Sequence, residues 1–555
     1  MAFLLPILIL IPLINGAALL WTSGSKRETT EVSTGWPFMT AGVTLAAAVL
    51  LMYQVWVGAV TPSADQVINP TIVYAPQWFQ IQLGSLAPLK MSLGADGIGA
   101  SLVLLTTLVT LSVLMFASLT VRKNFSAYAG WTLLAEAGLL LVFLAMDLLS
   151  FYVGFECVLI PLFALIVLWG NDNPLAAAKR FILYTLAGSL PMMVALIAII
   201  VKYKMPDGSF TILLTDLSAN ALAAIPNETA ASQAGIFALL VLGLGIKMAL
   251  LPLHTWLPAT YKSSHSTTSA LLAAVVLKMG LFGFLRLALP LTPLACLEYG
   301  PSVIAGLGAL AIVYGGVAAF AQKDLRILLA YSSLSHVGFI TLALFALTSV
   351  GFLGGSLQMF NHGVTTAAMF LLITSFAARR GTFQLDQGPL GLASQYPLLS
   401  VTLVFFVMAG IGMPMLNNFV GEYLALAAIY EKSSQFAVIG AFGIIIGACY
   451  SLNLVKILLF GTQNEESAGA NPDVTLTGDM TTREALPMVV LAVVSLFIGV
   501  FPQTATTHLR ADVEGLTNVY KRIEGNAALA ADEREADGNL AYSATESPLA
   551  SKVMQ

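Results

Sequence analysis

Apolar residues in this chain fall in long unbroken runs, not in the short alternations of a water-facing globule. Fourteen such runs stand out, at 3–22, 36–60, 97–119, 127–146, 148–169, 180–201, 235–253, 267–289, 301–320, 326–347, 351–377, 397–424, 435–460 and 485–502. A hydrocarbon layer about 30 Å thick is crossed by about 20 helical residues, so each run predicts a membrane span. Between the second and third, Trp78-Phe79-Gln80-Ile81-Gln82-Leu83 alternates with period two and predicts a hairpin-like strand too short to cross. The fold class is therefore all-α and polytopic, with about fourteen transmembrane helices.

Composition agrees. Of 555 residues, 58% are hydrophobic and only 10% charged, where soluble proteins carry about 25% charge. The net charge of −4 offers no basic excess for nucleic acid. Cys157, Cys296 and Cys449 lie far apart with no paired-cysteine motif, which argues against iron–sulfur, haem or zinc sites. The opening Met1-Ala2-Phe3-Leu4-Leu5-Pro6 lacks a basic leader and reads as the start of a retained span.

Basic residues set an orientation. The odd-numbered connections hold Lys26, Arg27, Arg122, Lys123, Lys179, Arg180, Lys262, Lys323, Arg326, Arg379, Arg380 and Arg483, against Lys90, Lys202, Lys204, Lys432 and nearby Arg286 for the even ones. Odd connections are thus expected on the cytoplasmic side, with both termini opposite. The chain divides into spans one and two with their hairpin-like loop (1–96), span three (97–126), spans four to eight (127–290), spans nine to thirteen (291–465), a loop with span fourteen (466–502) and a polar tail (503–555). That tail has weak helical periodicity early and a disorder-prone composition late.

Ionisable residues inside the runs need a reason, because a charge at mid-bilayer costs at least about 2.5–3.5 kcal/mol. Glu156, Lys247, Lys278, His336, His362 and Glu422 all sit well inside their spans, and Glu136 is a further buried candidate in span four. Taken singly, each has a bland reading as a structural ion pair or an interhelical hydrogen bond. Lys179, Arg180, Arg286, Lys323 and Arg326 lie at helix ends and read as snorkelling or topology residues. The central group is different because lysines, glutamates and histidines share one depth with no metal or cofactor motif to explain them. Burial brings carboxyl and ammonium groups toward similar proton affinities, and imidazole is already close. Such a row can pass protons.

Two spans are interrupted beside these residues. Lys247-Met-Ala-Leu-Leu-Pro-Leu-His-Thr-Trp-Leu-Pro258 and Gly410-Ile-Gly-Met-Pro-Met-Leu-Asn-Asn-Phe-Val-Gly-Glu422 both set proline or glycine against an ionisable group. Proline removes a backbone donor, and broken backbone at membrane depth survives only inside protein or along a wet cavity. A matched pair of broken helices points to an ion path between two inverted halves, spans four to eight and nine to thirteen.

Several motifs together resemble one family. They are Asp147-Leu-Leu-Ser-Phe-Tyr-Val-Gly-Phe-Glu156, Lys179-Arg-Phe-Ile-Leu-Tyr-Thr-Leu-Ala-Gly-Ser189, Pro252-Leu-His-Thr-Trp-Leu-Pro258 and Leu271-Leu-Ala-Ala-Val-Val-Leu-Lys278-Met-Gly280. The stretch from Gln322 to His336, Met359-Phe-Asn-His362-Gly and Pro414-Met-Leu-Asn-Asn-Phe-Val-Gly-Glu422 complete the set, so that the resemblance covers about residues 90–465. They are similar to the antiporter-like subunit M (subunit 4) family of proton-pumping NADH:quinone oxidoreductase, respiratory complex I. The resemblance implies fourteen helices with two inverted five-helix repeats and a hydrated polar axis. It gives Glu156 as the partner of Lys247, Lys278 as the central lysine, His336 and His362 as connecting histidines, and Glu422 as the terminal glutamate. It implies a translocase subunit without a redox site of its own, in an energy-converting membrane such as the bacterial plasma membrane. Flavin, iron–sulfur clusters and quinone are then expected in partner subunits, and sister antiporter-like subunits and the lipid bilayer as neighbours.

One stretch departs from the pattern. After Pro258 the family continues with acidic residues and a proline, whereas this chain reads Ala259-Thr-Tyr-Lys-Ser-Ser-His265-Ser-Thr-Thr268, with His265 where that proline stands. Two rival readings remain, a subunit of an Mrp-type cation/proton antiporter and a non-pumping structural spacer.

Overall fold

The computed structural model describes residues 2–25, 35–58, 67–76, 80–81, 89–387, 390–461, 476 and 478–525. Thirteen helices among them are long and apolar enough to cross a membrane. The twelfth span is present as two shorter pieces, Pro397–Ile411 and Asn417–Lys432. All fourteen apolar runs thus emerge as helix, and the chain is an integral membrane protein.

Helix starts follow local chemistry. Asp96, Asp147, Asp324 and Thr348 each accept a hydrogen bond from a first-turn amide of spans three (Gly97–Thr120), five (Leu148–Trp169), ten (Leu325–Phe345) and eleven (Ser349–Arg380). Such caps satisfy donors that the helix itself leaves orphaned. Span eleven ends on Gly381 at φ 73°, a left-handed turn that glycine adopts without a Cβ clash.

Packing sorts the spans into an inner and an outer set. The apolar stretches of spans eight (Ser266–Leu291) and eleven are 100% enclosed by protein, against 28% for spans one (Leu4–Ser23) and thirteen (Ser434–Phe460). Polar side chains on the two inner spans therefore never meet lipid. Span eight is also irregular, since π-helical segments Leu272–Val276 and Phe284–Ala288 flank Leu277–Gly283.

Connections alternate between two faces. Residues from odd connections, among them Lys123, Asp172, His265, Arg326 and Gln384, line one common cavity. The even ones meet elsewhere: the Ser92 amide donates to Asp147 (2.9 Å), and Asp147 bridges Leu213. The Tyr520 hydroxyl donates to Leu289 O (3.0 Å) on that same face. The chain after span fourteen (Thr482–Val500) is helical through residue 525, while the late tail, 526–555, lies outside the described residues.

Some expectations change. Ile72–Tyr74 pairs antiparallel with Leu93–Ala95, and Gln80–Ile81 with Leu89–Lys90. The rest of the Trp78–Leu83 strand, and Lys26 and Arg27, lie outside the described residues. An eleven-residue helix, Leu214–Ala224, occupies the sixth connection, too short and too polar to register as a span. Arg286 and Arg326 do not snorkel. Arg286 is buried and paired with Asp96, and Arg326 is buried between Asp324 (2.8 Å) and Asp172 (3.3 Å). Asp96 and Asp172 from other connections, and Asp324 beside Arg326 itself, give both guanidinium groups partners inside the protein, so neither needs the interface.

Candidate functional site

The inner spans carry a continuous polar row. Lys278 is wholly buried on span eight, and its ammonium donates to Ala273 O at 2.7 Å. That carbonyl belongs to the preceding π-helical segment, where the widened turn leaves backbone oxygens free. On its other side the same ammonium meets His362 Nδ1 at 2.8 Å. The His362 and His336 rings lie with centroids 5.2 Å apart, and His336 Nδ1 reaches Glu422 Oε1 at 2.9 Å. Four ionisable side chains from spans eight, eleven, ten and twelve are thereby brought into one line.

Glu422 owes its position to the break in span twelve. Gly412 (φ 80°) and Met415 (φ 73°) turn the chain out of the helix, and Asn417 restarts it. The Asn417 amide donates to Asn361 O (3.0 Å), the Asn361 amide returns a bond to Asn417 O (2.8 Å), and Ser495 donates to Asn417 Oδ1 (2.7 Å). This lattice clamps the restarted helix to spans eleven and fourteen. Gln358 adds a donor to Glu422 at 3.3 Å.

A cavity of about 30 Å³ touches both imidazoles and is walled by Ser332, Ser333, Thr365, Thr366, Asn418 and Tyr450. One water needs about 10–15 Å³, so a hydrated segment fits beside the histidines. Among the described residues, His362 Nε2, Ser333 Oγ and the Asn418 amide are buried without protein partners, which makes these walls hospitable to water.

The other predicted pair is arranged differently. Span seven runs from Ala230 to Lys247, breaks with Ala249 at φ 60° and a cis Leu251–Pro252 bond, and resumes as Trp256–Ser263. The Trp256 indole donates to Ile246 O at 2.9 Å, capping the carbonyl freed there. Lys247 is buried, and its ammonium lies 4.6 Å from the centre of the Phe155 ring with no hydrogen-bond acceptor among the described residues. Glu156, the next residue along, is close enough to act on Lys247 electrostatically but makes no ion pair with it. Span five is itself interrupted at Val158, one residue past the helix that carries Glu156. No hydrogen bond joins Lys247 to Lys278 among the described residues. Glu136 is fully buried and unpartnered as well.

Asn361, Asn417, Asn418, Gln358 and Ser333 were not singled out from sequence. Uncharged polar residues are common in helices; the signal that could have found some of them is spacing, Ser333 three residues before His336, Gln358 four before His362 and Asn418 four before Glu422.

The chain's similarities to known proteins run along the same spans. The family model described as NADH:quinone oxidoreductase/Mrp antiporter, transmembrane, matches residues 145–447. NADH-quinone oxidoreductase subunit M of Rickettsia typhi is 33% identical over 428 residues, covering 77% of this chain and 83% of that protein. The subunit M of Rhodobacter capsulatus is 34% identical over 444 residues, covering 80% and 85%. A chain of respiratory complex I from Thermus thermophilus, solved with bound NADH, superposes with a TM-score of 0.78 at 29% identity, over 93% of this chain and 99% of that one. A chain of the Mrp complex from Dietzia superposes with a TM-score of 0.73 at 22% identity over 93% and 96%, a likeness of fold alone.

Proposed function

This chain belongs to the NADH:quinone oxidoreductase/Mrp antiporter transmembrane family, and from that membership we propose that it is a proton-translocating, antiporter-like membrane subunit of a redox-driven quinone oxidoreductase complex. The observation that carries the reading is the buried line Lys278–His362–His336–Glu422, hydrogen-bonded at both ends, with the two imidazoles 5.2 Å apart beside a water-sized cavity, and ending on a broken helix.

The chemistry of that line is simple. The Lys278 ammonium gives a proton to His362 Nδ1 across 2.8 Å. The imidazolium so formed passes its other proton to His336, directly or through water in the adjoining cavity. His336 then protonates Glu422 across 2.9 Å. Each donor returns to its starting charge once Lys278 is reloaded from the Lys247 side. Approach of Glu156 to Lys247 would hold a proton on that lysine, and withdrawal would release it. In this reading, quinone reduction in partner subunits moves charge along the membrane and toggles that pair. The electron carriers lie in those partners, beside sister antiporter-like subunits. Odd connections face the cytoplasm, in keeping with their basic residues.

Lys278→Met in the assembled complex tests the reading. Protons moved per electron should fall while the complex still assembles, read by membrane potential and by donor-to-quinone turnover in vesicles. An unchanged ratio would overturn it. Purification without redox subunits, together with sodium-dependent proton exchange, would instead favour the Mrp-type alternative that the family also contains.

A further inference from the structure

The odd-connection face holds a cavity of about 740 Å³, bordered by Arg122, Lys123, Asp172, Arg326 and His265. From its wall a line of hydroxyls runs inward. His265 Nδ1 lies 2.7 Å from Thr267 Oγ1, which lies 2.7 Å from the buried Tyr128 hydroxyl. Tyr128 opens span four (Phe125–Leu144), and Thr132 and Glu136 follow it at four-residue steps, so the three share one helix face. At 1.5 Å per residue, Glu136 sits about 12 Å deeper than Tyr128. It is fully buried, and neither carboxyl oxygen has a partner among the described residues. Span four packs against Leu277–Gly283, the segment that holds Lys278. An isolated carboxyl at this depth is expensive for a merely structural role.

We propose that Glu136 is an additional proton-loading group of this subunit, supplied from the cavity through His265, Thr267, Tyr128 and Thr132. The proposal rests on the proton-translocation reading above. Burial lowers the His265 ring to about 4, so at neutral pH it rests uncharged and holds an extra proton only transiently. His265 Nδ1 accepts from the Thr267 amide, so the ring first moves its proton from Nε2 to Nδ1 by exchange with the cavity, and uptake at Nε2 then releases the Nδ1 proton to Thr267 Oγ1. Thr267 passes its own hydroxyl proton to Tyr128, and the phenol passes its proton past Thr132, with water completing the stretch, to the Glu136 carboxylate. Each hydroxyl ends with the one proton it began with, and His265 resets its tautomer against the cavity.

The test uses the assembled complex in vesicles, read by membrane potential during turnover. Glu136→Gln and Tyr128→Phe should each slow proton pumping threefold or more, and Glu136→Asp should recover most of it. His265→Gly should slow pumping likewise, and added imidazole, small enough for the cavity, should restore at least half. A structural histidine would not respond to imidazole. Should Glu136→Gln fail to assemble, Tyr128→Phe decides, since it keeps the ring packed against Trp169. Lys278→Met is measured alongside. If that variant loses pumping while Tyr128→Phe and Glu136→Gln keep the wild-type rate, this branch is wrong and the main relay stands. If Lys278→Met also pumps normally, the underlying reading fails with it.

Discussion

Replacing Glu422 by glutamine isolates the end of the relay. Glutamine fills the same volume and keeps one carbonyl oxygen, so the restart of span twelve and its Asn417–Asn361 lattice are preserved. What disappears is the negative charge 2.9 Å from His336 Nδ1, at a carboxylate only 3% exposed. A hydrogen bond to a charged group contributes about 1.5–3 kcal/mol, against about 1 for a neutral one. The loss of about 0.5–2 kcal/mol makes the proton-bearing His336 about two- to thirtyfold rarer. If the proton passes through this ring, turnover coupled to pumping should fall by about that factor. The assay is membrane potential and donor-to-quinone turnover in vesicles, with assembly followed on native gels. An assembled Glu422→Gln complex that pumps at the wild-type rate would show that His336 and Glu422 are neighbours without a shared proton.

Further outcomes follow from other parts of the fold. Glu156→Gln and Lys247→Ala should each lower the proton-to-electron ratio without loss of the folded subunit, and a normal ratio in both would remove that pair from the mechanism. Arg379 and Glu484 form a fully buried bidentate pair (2.8 and 2.9 Å) that ties the end of span eleven to the start of span fourteen, so Arg379→Ala should cost about 3–5 kcal/mol and lower thermal stability. After span fourteen, Asp512 accepts from the Ile98 amide (2.9 Å), and burial, reinforced by Asp96 and opposed by Arg286, raises its pKa well above the usual carboxylate range. The docked state then binds its proton more tightly than the free segment, so docking is strongest at low pH and weakens as pH rises through the raised value. Neighbouring His508, lowered to about 4 by burial, works the other way below about pH 6.5, where it resists charging. Above about pH 6.5, where His508 stays uncharged, only the Asp512 slope remains; the exchange protection of residues 510–525, corrected for the intrinsic base-catalysed rate, should fall with rising pH in the wild type but not in Asp512→Asn, and the same slope in both would refute this account.

Much of the molecule was legible one residue at a time. Every predicted span is helical because a run of about 20 apolar residues has no other way to satisfy its backbone in lipid. The breaks beside Lys247 and Glu422 were visible because Pro252, Pro258, Gly412 and Pro414 act on their own backbone. The burial of Lys278, His336, His362 and Glu422 followed from the cost of a polar group facing lipid. Pairing was another matter. Depth within the spans treats Glu156–Lys247 and His336–Glu422 alike, yet only the second closes to hydrogen-bond distance. The Phe155 ring holds the Lys247 ammonium in the first. The π-helical turns that present Ala273 O to Lys278, the burial of Arg286 against Asp96, and the hydroxyl line from His265 to Tyr128 depend on residues far apart in the chain. Depth in the membrane is a property of each segment alone, and the sequence determines it. Which charges touch depends on helix rotation and on half-ångström packing between segments, and only the tertiary structure decides that.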